Sequence, residues 1–180
     1  MILITAAGPD RPGMAHAVAA LLSEAGCNIE DTTMTRLSGE FAMILVVSPP
    51  DELSAEQLAR LLAPLEASHG LFLSCRDIGP EEEEVERFGA RHIVSVYGPE
   101  ARGLVARITQ VLAEHGVNIS DVQTRVASGG ALYVMILEIE VPQFDESDVA
   151  LEAELKLALE HAAREIGVSV SMRALDEETL

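Results

Sequence analysis

Short apolar runs alternate along this chain with segments of helical periodicity. Residues 2–6 form an apolar run that ends at a Gly-Pro pair, which predicts a buried strand followed by a turn. In residues 14–25 the apolar positions recur on one helical face, and Gly26 is typical of the position after a helix. We therefore predict a strand and an amphipathic helix, with Asp10 capping the helix and Pro12 opening its first turn.

A hairpin follows this helix. Residues 28–37 and 41–47 predict two strands, joined by a turn at Ser38-Gly39-Glu40. The second strand is apolar without alternation, so we expect both of its faces to be covered. Helices in one layer cover only one face of a sheet. The other face should therefore meet the second half of the chain or another subunit.

A second helix and a last strand complete the first half. Ser54 and Gln57 have the spacing of a capping box. Pro64 lies inside the helix that follows and predicts a kink or an early end. The last strand is predicted at residues 71–76. The apolar face of the helix consists of four leucines: Leu58, Leu61, Leu62 and Leu65.

The same frame returns 90 residues later. Gly8-Pro9 has its counterpart in Gly98-Pro99, and residues 26–31 have theirs in residues 116–121. The apolar face of the first helix is repeated at the same shift, which indicates one module present twice. The order in each half is strand, helix, strand, strand, helix, strand.

Two further matches do not follow the shift of 90. Residues 135–137 match residues 43–45 two positions late, and Thr124-Arg125 matches Thr35-Arg36 one position early. A longer hairpin turn at Ser128-Gly129-Gly130 and a strand bulge would explain both matches, and so would chance.

This order of elements is that of the ferredoxin-like βαββαβ fold. We predict an α+β protein of two tandem domains, each with two helices on one face of an antiparallel sheet. The first domain is predicted at residues 1–78 and the second at 91–175. An acidic linker at 79–90 separates them, and residues 176–180 form a C-terminal tail.

The net charge of −18 narrows the range of partners. Nucleic acids and anionic membranes bind clustered basic residues, so we expect neither as a direct partner. Two cysteines are too few for a disulfide framework or a zinc site. No apolar run is long enough to cross a bilayer, and the N-terminus has no signal-peptide pattern. We therefore expect a cytoplasmic protein that acts through a protein partner.

Motifs of catalysis are absent from the sequence. It has no nucleophile elbow, phosphate-binding loop, zinc-protease motif or dinucleotide-binding glycine pattern. The five histidines have no metal-ligand spacing, and no pair of carboxylates stands out as an acid and base. We predict no enzyme activity, no metal and no cofactor.

The repeated loop and helix start are the candidate ligand site. A helix that begins at Gly13 or Gly103 presents free backbone N–H groups, which bind a carboxylate well. Asn28 and Asn118 offer amides that donate and accept, and the nearby Asp31 and Asp121 can receive an ammonium group. These groups suit a small zwitterion such as an amino acid. Alternatively, the glycines only permit tight packing and the asparagines only satisfy a turn.

At these residues the sequence resembles the ACT domain family. The resemblance rests on Asp10-Arg11-Pro12-Gly13, on Gly26-x-Asn28-Ile29-x-Asp31 and on the hairpin strand with Met43, and it covers nearly the whole chain as two copies. Paired copies without an attached enzyme resemble the tandem group that contains the glycine cleavage system transcriptional repressor. The family implies allosteric amino-acid binding at interfaces between modules. Its contacts correspond to Gly13, Asn28, Ile29 and Asp31, and to Gly103, Asn118, Ile119 and Asp121.

The second copy departs from the family pattern. It has Glu100-Ala101-Arg102 where the first has Asp10-Arg11-Pro12, so if one copy binds, we expect it to be the first. The resemblance implies a homo-oligomer that senses glycine or serine and signals to a protein such as a transcription regulator. Two alternatives remain: a protein-interaction scaffold with vestigial sites, and a regulatory subunit of a biosynthetic enzyme.

Overall fold

The chain forms two compact units, Met1–Glu83 and Glu84–Leu180. The structure is a computed structural model that describes residues 1–51, 53–79, 88–127, 132–142 and 148–175. The predicted C-terminal tail and the predicted turn at Ser128-Gly129-Gly130 lie outside these residues. Most of the predicted acidic linker lies outside them as well.

The first unit has the predicted order of elements. Its four strands form one antiparallel sheet in the order β2-β3-β1-β4, so β2 and β4 are the edge strands. The elements are β1 (Ile2–Pro9), α1 (Met14–Glu24), β2 (Asn28–Leu37), β3 (Glu40–Ser48), α2 (Ala55–His69) and β4 (Phe72–Asp77).

The second unit repeats this topology, with sheet order β6-β7-β5-β8. The α+β fold of two βαββαβ modules is thus confirmed. Strand β5 begins at Phe88, inside the segment predicted as linker. The elements are β5 (Phe88–Gly98), α3 (Leu104–Glu114), β6 (Asn118–Ala127), β7 (Leu132–Pro142), α4 (Asp148–Ile166) and β8 (Ser169–Ala174).

Each unit has its own aliphatic core between the sheet and its helices. In α2, three of the four predicted leucines are buried, but Leu61 is 45% exposed. Ala55 also belongs to the buried face of the helix. Leu61 lies about 100° around the helix from Leu62, so the two cannot face the core equally. The core strand positions of the first unit are Ile2, Ile4, Ala6, Phe41, Met43, Leu45 and Val47.

The outward face of the central strands carries half-exposed apolar side chains. Ile44 is 44% exposed, and Ile136, its counterpart in β7, is 43% exposed. That the second half of the chain or another subunit covers this outer face stays a prediction. Residues of β3 alternate between the core and the outer face, and an apolar residue on the outer face is tolerated half-exposed.

The start of α1 differs from the prediction. Gly13 is the N-cap, with φ +93°, and the first helical residue is Met14, so Pro12 lies in the preceding turn. The carboxylate of Asp10 caps nothing. It accepts a hydrogen bond from Arg36, with 3.1 Å between Nη1 and Oδ2. A glycine in the left-handed conformation begins the helix later than the Asp-Arg-Pro pattern suggests.

The capping box at the start of α2 is confirmed. The N–H of Gln57 donates to Ser54 Oγ at 3.3 Å, and the N–H of Ser54 donates to Gln57 Oε1 at 2.8 Å. Pro64 does not end the helix early, because α2 continues to His69 and Gly70 is its C-cap. Pro64 lies on the exposed side, where water can bind the carbonyl group that the missing N–H leaves free.

The strand registers explain one of the two matches that do not follow the shift of 90 residues. Leu37 pairs with Glu40 in the first hairpin, and Ala127 pairs with Leu132 in the second, so two more residues separate the paired ends of the second. This explains why Met135 matches Met43 two positions late. A bulge occurs at the same place in both copies, so it explains neither mismatch. The structural counterpart of Thr35 is Arg125, and the Thr-Arg match is a chance one.

Candidate functional site

Each module begins its first helix with an uncapped glycine. Gly13 has φ +93° and Gly103 has φ +79°, and no side chain caps either helix by a hydrogen bond. The carbonyl groups of both glycines accept the first helical bonds, from Ala17 and Arg107. Backbone N–H groups in the first turn of such a helix attract anions.

The two glycines are needed for backbone conformation and not for close packing. A Cβ added to Gly13 or Gly103 would meet no atom within 4 Å. The alternative that these glycines permit tight packing is therefore wrong. The different residues at 100–102 also leave the helix start unchanged, so both modules present the same open N-terminus.

Asn28 lies at the start of β2, where its amide is already bonded. Its Nδ2 donates to Glu30 Oε1 at 2.9 Å. This hydrogen bond, together with one from Ser48, lowers the pKa of the Glu30 carboxyl below its ordinary value. Glu30 therefore stays ionised and negative beside Asn28.

Asn118 has a different partner in the second module. Its Nδ2 donates to Glu140 Oε2 at 3.0 Å. Glu140 lies opposite Asn118 on β7, at the position that Ser48 has opposite Asn28 on β3. Both asparagines therefore contact a carboxylate, one from its own strand and one from the neighbouring strand. Sequence reasoning missed these partners because strand register was needed to find Glu140.

The bulge in β2 and β6 turns the aspartates away from the helices. Ile29 pairs with the buried Val47 and packs against the core, whereas Asp31 pairs with Val46, on the opposite face. In the second module, Ile119 and Asp121 are arranged in the same way. Asp31 Oδ1 accepts from the N–H of Thr32 at 2.7 Å, and Asp121 Oδ2 accepts from Gln123 at 3.1 Å.

The structure places the glycine and the asparagine of one module far apart. The N–H of Asp10, just before α1, donates to the carbonyl oxygen of Gly39 at the hairpin turn. Asn28 pairs with Ser48, at the other end of β3. Helix α1 lies between them, and its 11 residues span about 16 Å. Each module therefore carries two candidate half-sites, a helix N-terminus and an Asn-Ile-x-Asp segment, and does not bring them together.

The described residues show neither a metal-binding cluster nor a membrane-spanning helix. They contain no cluster of three or more His, Cys, Asp or Glu side chains that would hold a metal ion. None of the helices in this part of the chain is long and apolar enough to cross a membrane.

Comparison with known proteins points to one family for both halves. The ACT domain model matches residues 1–75 and 91–173. A UPF0237 protein of Methanopyrus kandleri is 35% identical over 86 residues, which are 48% of this chain and 89% of that protein. The glycine cleavage system transcriptional repressor of Escherichia coli is 43% identical over 47 residues, 26% of this chain and 25% of the repressor.

A solved structure shares the architecture of both halves. The crystal structure of an unknown protein from Galdieria sulphuraria superposes with a TM-score of 0.77 at 26% identity. The match covers 97% of this chain and 98% of that one. The tandem arrangement of two such modules is therefore found in another protein of similar length.

Proposed function

We propose, since this chain belongs to the ACT domain family in both halves, that it is a non-catalytic regulatory protein that binds a small amino acid at interfaces between ACT modules. It is related to the glycine cleavage system transcriptional repressor of Escherichia coli through a 47-residue segment. That relative favours glycine, or the similar serine, as the ligand, and transcriptional control of glycine metabolism as the process.

The separation of the two half-sites is the observation that carries the proposal. The helix N-terminus at Gly13 suits the carboxylate of an amino acid, and the Asn-Ile-x-Asp segment suits its ammonium group. These groups lie at opposite ends of a helix about 16 Å long, too far apart for one small molecule to contact both. A complete site therefore needs the glycine of one module and the asparagine of another.

The charge around the asparagines supports the same orientation of the ligand. Glu30 and Glu140 accept hydrogen bonds from Asn28 and Asn118. Asp31 and Asp121 follow three residues later on the same strands. This negative charge favours an ammonium group and disfavours a carboxylate. The positive ends of the helices that begin at Gly13 and Gly103 favour a carboxylate instead.

The regulatory output follows from differential binding. A ligand bridging two modules stabilises the arrangement of modules that completes its site, and the population of that arrangement rises with ligand concentration. With a net charge of −18 the chain does not suit direct contact with DNA. A protein partner, such as a transcription regulator in the cytoplasm, would sense the change. No cofactor is required.

A second function is favoured by one specific observation. Both asparagine amides are already bonded to a carboxylate of their own module, at 2.9 and 3.0 Å. An amino acid would have to displace these bonds. If no amino acid displaces these two hydrogen bonds, the sites are vestigial. The chain would then be a protein-interaction scaffold or a regulatory subunit of a biosynthetic enzyme.

Calorimetric titration with the twenty amino acids separates the two functions. The sensing function predicts binding heat with glycine or serine, reduced at least tenfold in affinity by Asn28→Ala combined with Asn118→Ala. Gln110→Ala removes an exposed amide on α3 and is the matched control, with no change expected. Absence of heat with all twenty amino acids would favour the scaffold.

A further inference from the structure

Strand β8 is an edge strand of the second sheet, as β4 is of the first. It pairs with β5 on one side, and on its other side no strand in the described part of the chain pairs with it. The backbone N–H and C=O groups along that side are available to a further strand. Such an edge is a template for pairing with another chain.

A groove follows this edge, between α4 and β8. One end is a cleft of about 320 Å³ beside Glu152, Lys156 and Met172. The other end is a cleft of about 270 Å³ beside Glu160, Arg164 and Val170. A small pocket between Lys156, Glu160 and Ser171 connects the two. The groove therefore runs along most of β8.

The helix side of this groove carries charges that alternate in sign. Glu152, Lys156, Glu160 and Arg164 occur at every fourth residue of α4, and we name these four residues the charge ladder. Lys156 is the single lysine of the chain. Among the described side chains, no ion pair joins successive members of the ladder, although this spacing allows it.

The first module has no such ladder. The helix ends at Gly70 and Gly167 and the buried pairs Leu58/Leu155 and Leu62/Leu159 align α2 with α4 at a shift of 97 residues. Strand pairing agrees, because Ile4 pairs with Cys75 and Val94 pairs with Met172. At this shift the four ladder positions of α2 are all alanine: Ala55, Ala59, Ala63 and Ala67. The ladder is therefore not a requirement of the fold.

The charge ladder is complementary to itself when reversed. If a second copy of α4 lies antiparallel to the first, centred near Ala158, then Lys156 faces Glu160 of the second copy. Glu152 likewise faces Arg164 of that copy, so every contact joins opposite charges. This arrangement has twofold symmetry, which is the usual symmetry of homodimers.

The strand and the helix share one centre of symmetry. The central pocket brings Lys156, Leu159 and Glu160 beside Val170, Ser171 and Met172, so the midpoint of the ladder lies beside the midpoint of β8. One twofold axis can therefore pair β8 with β8 and the ladder with itself. Leu157, which borders the ladder at its midpoint, is 63% exposed and would be buried at such an interface.

We propose that the free edge of β8 and the charge ladder of α4 form a homodimer interface, with a second copy of this chain as the occupant. The two β8 strands pair antiparallel about Ser171, and the two ladders form reciprocal ion pairs. The interface is independent of the proposed amino-acid site, since it uses neither the helix N-termini at Gly13 and Gly103 nor the Asn-Ile-x-Asp segments.

Charge exchange tests this interface by sedimentation velocity. Lys156→Glu and Glu160→Lys each place like charges at two symmetric contacts, and we expect each to weaken self-association on the order of 100-fold. Mixing the two variants restores every opposite pair, as does combining both changes in one chain. We expect the mixture and the combined variant to associate like the wild type. A wild-type monomer of 19.3 kDa, or variants with unchanged mass, would overturn the proposal.

Two matched controls distinguish this interface from general effects. Glu154→Lys makes the same charge change as Glu160→Lys, but on the opposite side of α4. It should leave the mass of the dimer in sedimentation unchanged. Ser171→Cys should form a disulfide between two copies on oxidation, because the axis passes beside it. Ser74→Cys, at the same place in the first module, should not. Equal crosslinking of the two variants would contradict the proposal, whatever the outcome of amino-acid titrations.

Discussion

The two kinds of glycine in the first module predict different costs of substitution. Gly13 has φ +93° with open space where a Cβ would lie, so Gly13→Ala introduces only backbone strain. The left-handed conformation costs a residue with a Cβ roughly 1–2 kcal/mol, and the smaller entropy of the unfolded alanine chain offsets about 0.4–1 kcal/mol. We expect a loss of about 1 kcal/mol.

At Gly8 the obstacle to a side chain is lack of space and not a left-handed backbone. A Cβ there would lie 2.6 Å from the carbonyl oxygen of Gly70 and 3.3 Å from Leu71 Cα, both backbone atoms. Since β1 and the Gly70-Leu71 segment between α2 and β4 must move apart, Gly8→Ala should cost about 1–3 kcal/mol, as overpacking does.

Urea unfolding followed by circular dichroism measures both costs, with the two modules fitted separately if they unfold in two steps. Gly13→Asn is the control, because asparagine tolerates the left-handed region better than alanine does, and it should restore most of the loss. If Gly13→Asn is as destabilising as Gly13→Ala, or if Gly8→Ala is neutral, the assignment of these roles is wrong.

Three further predictions concern the core, a carboxylate and a thiol. Leu62→Ala removes a fully buried side chain and should cost roughly 2.7–5 kcal/mol in urea unfolding, whereas Leu61→Ala should cost under about 0.5 kcal/mol; equal losses would contradict the assigned core. Hydrogen bonds lower the pKa of Glu30, so they stabilise the fold above the unfolded pKa, and this contribution is lost as pH falls through the folded value. An NMR titration should show the Glu30 pKa rising in Asn28→Ala, and an unchanged value would refute the bond. Burial raises the pKa of the Cys75 thiol, so iodoacetamide should alkylate Cys75 more slowly at pH 8 in the folded chain than in urea, and equal rates would show the thiol to be exposed.

The order of the elements was predictable because the aliphatic pattern of each is strong. The pattern predicts a strand at residues 28–37, where the structure has β2. The start of α1 was mispredicted because Asp10 and Gly13 both occur at helix starts. Only the backbone conformation shows that Gly13 begins the helix and that Asp10 pairs with Arg36.

The candidate site was predictable as residues but not as geometry. The repeated segments led to Gly13 and Asn28, yet nearness in a motif does not show that a helix separates them. The bulge that turns Asp31 away from the helices depends on strand register, which the sequence alone leaves undefined. The charge ladder was missed for a related reason. Its comparison with the alanines of α2 needs a shift of 97 residues, whereas the shared motifs follow a shift of 90.

The two-module site is tested most directly by NMR with isotope-labelled protein. Glycine or serine is titrated while the backbone amides of Met14 and Leu104 and the side-chain amides of Asn28 and Asn118 are observed. The account predicts that signals from both half-sites shift together, with one dissociation constant. Shifts confined to one half-site, or no shifts at all, would contradict a ligand that joins the glycine of one module to the asparagine of another.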